Sequence, residues 1–473
     1  MKKEEKMKKV LFKMIVFFII STSGFSFENE INNLFEDEKI EQSDSLVIEQ
    51  EVKVETIDPI LLRDTYSRRA TNYIYAQLFK IDKDGQVVPY LLEEYKKNDE
   101  MEIYCKLRED IYFSNGDSIT AQDVKDSIEN YLKNGYMNDL YSSIQQIQVL
   151  NDREFIILLN YPDHELEIGL TNPLMSILKR ENNKIFTSGR YAIEEIEKNK
   201  IKLKKNKYYF DQSSIFENVE IKRELNSYQR LINSLNLPNY YSYDLYKEDI
   251  ETAKKIGNLR GKKIVKDTVY DIISLVFGNK KNYSLNDRKA LESLLNREAT
   301  TICPQEMFDI KISFLEKNYS RREAIKILKN SGHFEKKIKI MCLNTIHNRN
   351  FAQYVAHDLI QNGLNVEIEI YNLDKFLNKL KSKDYDIALY NITINSVYPL
   401  TSLEKTIVGE LIDYDLEDSL LPFFNLFKEE RNKEYKERII DKIFYLTYSS
   451  RYFIPLAHKQ TYILKSENIV GMK

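Results

Sequence analysis

The sequence predicts an α/β protein of more than one domain, on three observations. The chain has 473 residues, past the size at which a single hydrophobic core keeps growing, so two or three domains are expected. Over residues 337–390 strand-like and helix-like stretches alternate across short loops: strand 337–343, helix 350–361, strand 365–370, helix 374–381 and strand 385–390. Nearer the start, tight turns separate strand-like runs. Asp82-Lys83-Asp84-Gly85 joins 76–81 to 86–92 as a hairpin, because Gly85 is free to take a positive φ.

Other elements follow from local chemistry. Leu46, Ile48, Val52 and Val54 suggest a first strand, and Phe155 to Leu159 a later one. Asn115-Gly116-Asp117 is a second tight turn; after it Thr120 stands at a helix N-cap with Asp123 three positions on, and Val124, Ile128, Tyr131 and Leu132 repeat at helical spacing. Asn286 or Asp287 caps a helix with apolar Leu291, Leu294 and Leu295, and the helical run 323–332 ends at Gly332.

The first 26 residues carry Lys2, Lys3, Lys6, Lys8 and Lys9, an apolar run 14–20 and small residues through Ser26. They are expected to form a Sec signal peptide, residues 1–26, with Gly24 and Ser26 before the cut. The apolar run falls short of the about 20 residues a membrane span needs, and an uncleaved anchor is the alternative reading. With no cysteine near the cut, a lipid-anchored lipoprotein is not expected, and the mature chain is expected free in a periplasm. Residues 27–45 read as a flexible acidic start.

Composition excludes some functions. Lys and Arg number 70 against 73 Asp and Glu, which argues against nucleic acid, where a concentrated basic face is wanted. The lysine-rich strip 198–207 reads as a solvated strand and turn. Cys105, within an alternating run, is expected to be a buried thiol, while Cys303 and Cys342 are the pair that an oxidising compartment would permit to bond. The chain has no G-x-S-x-G, H-E-x-x-H, glycine-rich phosphate loop or C-x-x-C, and its five histidines are scattered. No enzyme activity, cofactor or metal site is expected.

The order of motifs is more specific than any one of them. Asp58-Pro59, the Asp82 to Gly85 turn, Val88-Pro89-Tyr90-Leu91 and the run from Leu107 through Phe113, Asn115-Gly116, Thr120-Ala121 and Asp123-Val124 follow at spacings that resemble the periplasmic dipeptide and oligopeptide-binding proteins of ABC importers, extracellular solute-binding protein family 5. Thr187 to Tyr191, the 201–209 segment, Asn286 to Leu291 and Glu323 to Gly332 continue the likeness to about Ile469. It implies a two-lobed, periplasmic-binding-protein-like (Venus flytrap) α/β fold with an extra subdomain inserted in the first lobe. By that likeness lobe I comprises 46–78, an inserted subdomain 79–186, 187–225 and a C-terminal return 455–473, and lobe II comprises 226–454.

What the resemblance implies for function is a monomeric carrier that takes a peptide or small solute in the cleft and delivers it to an inner-membrane ABC permease with its ATPase subunits. Relatives anchor a peptide's free amine on a carboxylate in a G-W-x-x-D-x-x-x-P segment. Here the same place reads Asn391-Ile392-Thr393-Ile394-Asn395-Ser396-Val397-Tyr398-Pro399, so Ile392 replaces the Trp and Asn395 the Asp. A charge-assisted bond to an ammonium is worth about 1.5 to 3 kcal/mol and a neutral amide about half that or less, which puts peptide specificity in question. The ligand-binding candidates are Tyr390, Asn391, Thr393, Asn395 and Tyr398, with Asp271 as a substitute carboxylate, and from lobe I Thr65, Tyr66, Ser67 and Arg68 after Asp58-Pro59. Arg68 or Arg69 could meet a ligand carboxylate. For each of these the alternative is an ordinary surface or packing residue. Two further readings stay open: a periplasmic sensor or chaperone-like interaction protein, and a binder of a non-peptide solute such as a metal chelate.

Overall fold

A computed structural model describes residues 44–469, apart from 183, 214–215, 257–258, 279–281, 300–318, 396–398 and 411–413. The expected signal peptide, the expected flexible start up to residue 43, Cys303 and Tyr398 lie outside the described residues, while Ser45, the expected end of that start, already belongs to the first strand. Labels below number the elements in chain order.

Strand β1 (Ser45–Gln50) leads through a loop to helix α1 (Thr65–Ile74). The loop is held against that helix from within: the buried Ser67 hydroxyl accepts from Glu55 N at 3.1 Å and Thr56 N at 3.3 Å. Next comes the hairpin β2 (Phe79–Ile81) and β3 (Val87–Pro89), as expected, with Gly85 at φ 80° and Asp82 Oδ1 accepting from Asp84 N and Gln86 N. A four-stranded antiparallel sheet follows, built from β4 (Leu92–Lys97), β5 (Glu102–Leu107), β6 (Ile144–Val149) and β7 (Glu154–Leu159) in the order β4-β5-β7-β6. Helix α2 (Ala121–Asn134) packs beside it, opened by the expected capping box of Thr120 and Asp123. Cys105 is buried in this sheet as a free thiol whose ionisation desolvation opposes.

After a short hairpin, β8 (Leu178–Glu181) and β9 (Lys184–Thr187), the chain enters a ten-stranded mixed sheet. One half holds β10 (Tyr191–Glu197), β11 (Lys200–Lys205), β12 (Asn218–Arg223), β1 and β13 (Tyr240–Leu245), with helices α3 (Ser227–Asn236) and α4 (Lys247–Ile256) flanking β13. The lysines of β11 face water and pair with Glu195, Glu197, Glu217 and Glu220. The other half is built from β14 (Lys262–Phe277), β15 (Lys337–Leu343), β16 (Asn365–Tyr371) and β17 (Ile387–Asn395). Its helices include α5 (Leu285–Ser293), α6 (Arg321–Asn330), α7 (Ile346–Gln361) and α8 (Leu373–Ser382). After α9 (Pro399–Glu404), a helix pair, α10 (Tyr414–Glu429) and α11 (Lys433–Ser450), leads to the last strand, β18 (Phe453–Ser466). That strand closes both halves, pairing with β13 on one side and β14 on the other.

Two expectations are corrected. The cap of α5 is neither Asn286 nor Asp287 but Ser284, whose hydroxyl accepts from Asp287 N while the Asp287 carboxylate takes Ser284 N–H. Strand β17 does not stop at Tyr390 but runs to Asn395, because β14 is long enough to pair it from Val269 to Phe277.

The core is divided. Leu46, Ile48, Tyr191, Val219 and Tyr241 belong to one cluster, while apolar residues of the four-stranded sheet and of β14 onward form another, continuous cluster. The seam between those two regions also holds a buried ion pair, Lys428 Nζ to Glu404 Oε1 at 2.7 Å, with Lys428 donating to Leu140 O at 3.1 Å. At its rim Lys97, Asp99, Glu100, Ile103, His164 and Arg431 line a cleft of about 330 Å³.

Candidate functional site

Two neighbouring strands join the halves of the large sheet. β14 pairs with β18 from Lys262 to Lys266 and again from Tyr270 to Val276, with the register broken between. The break is stitched by side chains: Gln460 Nε2 donates to Asp267 O and Val269 O at 2.9 and 3.0 Å, and the Thr461 hydroxyl to Val269 O at 2.8 Å. Beyond it β14 carries Asp271, which lies opposite Thr393 of β17 and accepts from its hydroxyl at 3.0 Å.

The other oxygen of Asp271 accepts from the Tyr246 hydroxyl at 2.6 Å. Tyr246 follows β13, where the register shifts and Asp244 takes φ 59°, uncommon for a residue with a Cβ. Several groups hold Asp244 there: Arg69 Nη1 at 2.7 Å, Glu51 N at 3.2 Å, and Arg230 Nη2 on its carbonyl at 2.8 Å. Arg69 reaches it because Asp64 caps α1, accepting from Ser67 N at 2.7 Å, which sets the turn of helix carrying Tyr66 and Arg69. The Arg69 guanidinium lies 4.2 Å from the Tyr243 ring and 5.7 Å from that of Tyr66. Asp249 accepts from Tyr246 N at 2.8 Å, and the His347 ring approaches Tyr246 to 3.8 Å.

Glu51, Asp244, Asp249 and Asp271 are all buried, so the region is rich in desolvated carboxyls. Burial pushes Glu51 up to about 8, Arg230 opposing and Asp244, Asp249 and Asp271 adding to the rise. Burial lifts Asp271 to about 6, against the hydrogen bonds from Tyr246 and Thr393. The Tyr66 phenol is raised by burial, with the charges of Asp244, Glu51 and Asp271 adding to the rise and Arg69 opposing. His347 is lowered by desolvation, with Asp249 and Glu248 acting the other way. Among the described residues no three His, Cys, Asp or Glu stand so as to hold a metal ion.

The structure brings Asp271 and Thr393 together, sets the Tyr66 ring near the Arg69 that holds Asp244, and sets Asn391 and Asn395 on the same face of β17 as Thr393, opposite Ile273 and Val269. Asn395 N–H donates to the Ser402 hydroxyl at 3.1 Å. Other candidates point elsewhere. Tyr390 lies on the opposite face of β17, stacked on Phe376 in the lobe core. Ser67 is fully buried under the loop it holds, and Arg68 is buried near Asp64, Tyr131 and Tyr141. Thr65 is the first residue of α1, and half-buried. Sequence reasoning missed Glu51, Asp244, Tyr246, Asp249 and His347, and named Arg69 only as an alternative to Arg68. The run Tyr240 to Tyr246, fully buried yet broken by an aspartate, was the available signal.

Comparison with known proteins fits this architecture. The nickel-binding protein NikA of Staphylococcus aureus is 22% identical over 337 residues, covering 66% of this chain and 68% of that protein. Its crystal structure with Ni(L-His)2 superposes with a TM-score of 0.74 at 20% identity, over 90% of this chain and 96% of that one. A dipeptide-binding protein from Pseudoalteromonas in complex with Met-Leu superposes with a TM-score of 0.80 at 15% identity, over 90% and 96% of the two chains. These structures share the two-lobed α/β fold. The model of bacterial extracellular solute-binding proteins, family 5 (middle) matches residues 86–406, and with that span inside the two-lobed frame the chain belongs to this family of solute-binding proteins.

Proposed function

We propose that this chain is the periplasmic capture component of an ABC importer and that its solute is a peptide or peptide-like molecule enclosed where Tyr66 and Arg69 of the first lobe meet Asp271 and Thr393 of the second. The observation that carries this reading is the position of Asp271: it lies just past the register break of the two joining strands, and it takes hydroxyls from Tyr246 of the first-lobe side and Thr393 of the second. A ligand bound there touches both lobes and favours the closed form. On this reading the lobes cross at residues 267–269 and 460–461 rather than at 226 and 455, since β13, with α3 and α4 beside it, pairs within the first-lobe half of the sheet.

The reading assigns the chain no catalysis, a monomeric state and export by its amino-terminal segment. Native mass spectrometry of protein purified from its own periplasm, with release and fragmentation of what it carries, tests it. A set of short peptides supports it. An empty protein that no peptide stabilises against heat removes it in favour of a sensor or interaction role. One observation favours a second solute, a metal chelate: His347 stands against Tyr246 beside the cleft, and a relative is a nickel-binding protein. Recovery of nickel with the protein would select that outcome.

A further inference from the structure

We propose that the solute is a net-cationic organic molecule, with its ammonium or guanidinium seated between Asp271 and Glu51. This rests on the solute-capture reading above and adds the charge class that the site accepts.

The argument starts with which cations already have partners. Four buried carboxyls, Glu51, Asp244, Asp249 and Asp271, share the region with Arg69 and Arg230. Arg69 is held by Asp244. Arg230 donates to the carbonyls of Glu224 and Asp244, at 2.6 and 2.8 Å, and reaches Glu51 only at 3.9 Å. Lys459 lies opposite Asp271 across the strands, yet its ammonium turns outward to Glu298 at 3.2 Å. Asp271 therefore has two hydroxyl donors and, among the described residues, no cation within ion-pair distance. A buried carboxylate in that state is costly until a positive group joins it.

A second observation points the same way. Glu51 is 3% exposed and its carboxyl meets Arg230 only at 3.9 Å; the amide oxygen of the preceding residue, Gln50, 1% exposed, has no partner among the described residues, while its amide nitrogen leans on Tyr66 O at 3.4 Å. Unmet acceptors thus stand on the first-lobe side as well, where a donor-rich cation fits. A ligand carboxylate would meet Arg69 only in competition with Asp244, so a zwitterion gains less than a molecule of net positive charge. A bare divalent ion is not the better fit, since the described carboxyls do not converge as metal ligands.

The test is isothermal calorimetry and thermal shift on the full mature chain, with arginine amide and putrescine as cationic probes, Ala-Ala as neutral, Glu-Glu as anionic and the nickel–histidine complex as chelate. The cationic probes are expected to bind at least about tenfold more tightly than Ala-Ala. Asp271→Asn is expected to lose about tenfold or more of that affinity while its empty form melts no lower than the parent, because an uncompensated charge has been removed. Glu51→Gln, a second variant, is expected to lose affinity for the same probes. Tighter binding of a neutral, anionic or chelate probe, or unchanged affinity in both variants, overturns the charge class and leaves solute capture standing. A protein that no probe stabilises overturns both.

Discussion

Glu51 makes the sharpest case at the scale of a residue. Its carboxyl rises from an ordinary 4.5 to about 8, under burial and the charges of Asp244, Asp249 and Asp271, with Arg230 opposing. The folded protein thus keeps a proton that the unfolded chain releases. The sign follows: the empty protein loses stability as pH rises from about 4.5 through about 8, and Asp271, lifted from 3.8 to about 6, adds to the loss in the lower part of that window. A melting temperature measured across this range is expected to fall with pH, and Glu51→Gln to flatten the upper part; a curve that rises through neutrality contradicts the assignment. Ser67 behaves differently. Ser67→Ala leaves two N–H groups without their acceptor and is expected to cost about 1–3 kcal/mol in denaturant unfolding, with ligand affinity shifted less than by Asp271→Asn.

Elements were legible where their chemistry is local. The Gly85 hairpin, the Thr120 capping box and the alternation from Lys337 onward depend on neighbours a few residues apart, so sequence shows them. The faces of β17 were harder. Thr393, Asn391 and Asn395 alternate with Ile392 and Ile394, but the strand's true length depends on β14, more than a hundred residues away. Tyr390 lies on the same strand, but period-two geometry turns it to the other face. Asp244 and Tyr246 were invisible for a different reason: their positions follow from a register shift and a positive φ that no local pattern encodes. At Gly189 the packing of elements is close, since a Cβ there would stand 2.5 Å from Ile74 C at the end of α1. Gly189→Ala is expected to cost about 1–3 kcal/mol, read from the urea midpoint at unchanged slope.

At the scale of the whole molecule, the seam where residues 140–165 meet residues 404–436 is expected to govern how far the proposed lobes part. It combines continuous apolar packing with the buried Lys428–Glu404 pair, and a rim where Arg431 Nε donates to His164 Nε2 at 2.9 Å and Lys436 pairs with Glu165 at 2.7 Å. Lys428→Ala strands Glu404 in a dry site and is expected to cost about 3–5 kcal/mol, whereas Lys428→Met with Glu404→Leu recovers most of it. Small-angle scattering should show the single variant more extended without ligand; an unchanged profile would mean that the seam does not govern opening. The two-lobed plan itself was legible from the order of motifs along the chain, while the charge of its cleft was not, because Glu51, Asp244, Asp249 and Asp271 are brought together only by the finished sheet.

The late position of β18 has a consequence in time. The strand that completes both halves of the large sheet, Phe453–Ser466, is synthesised long after its partners, which begin more than two hundred residues earlier in β13 and nearly as far back in β14. Neither half can add this closing strand until the long stretch of chain after β13 and β14 has been made, so both ladders stay open on that side while the second lobe is being synthesised.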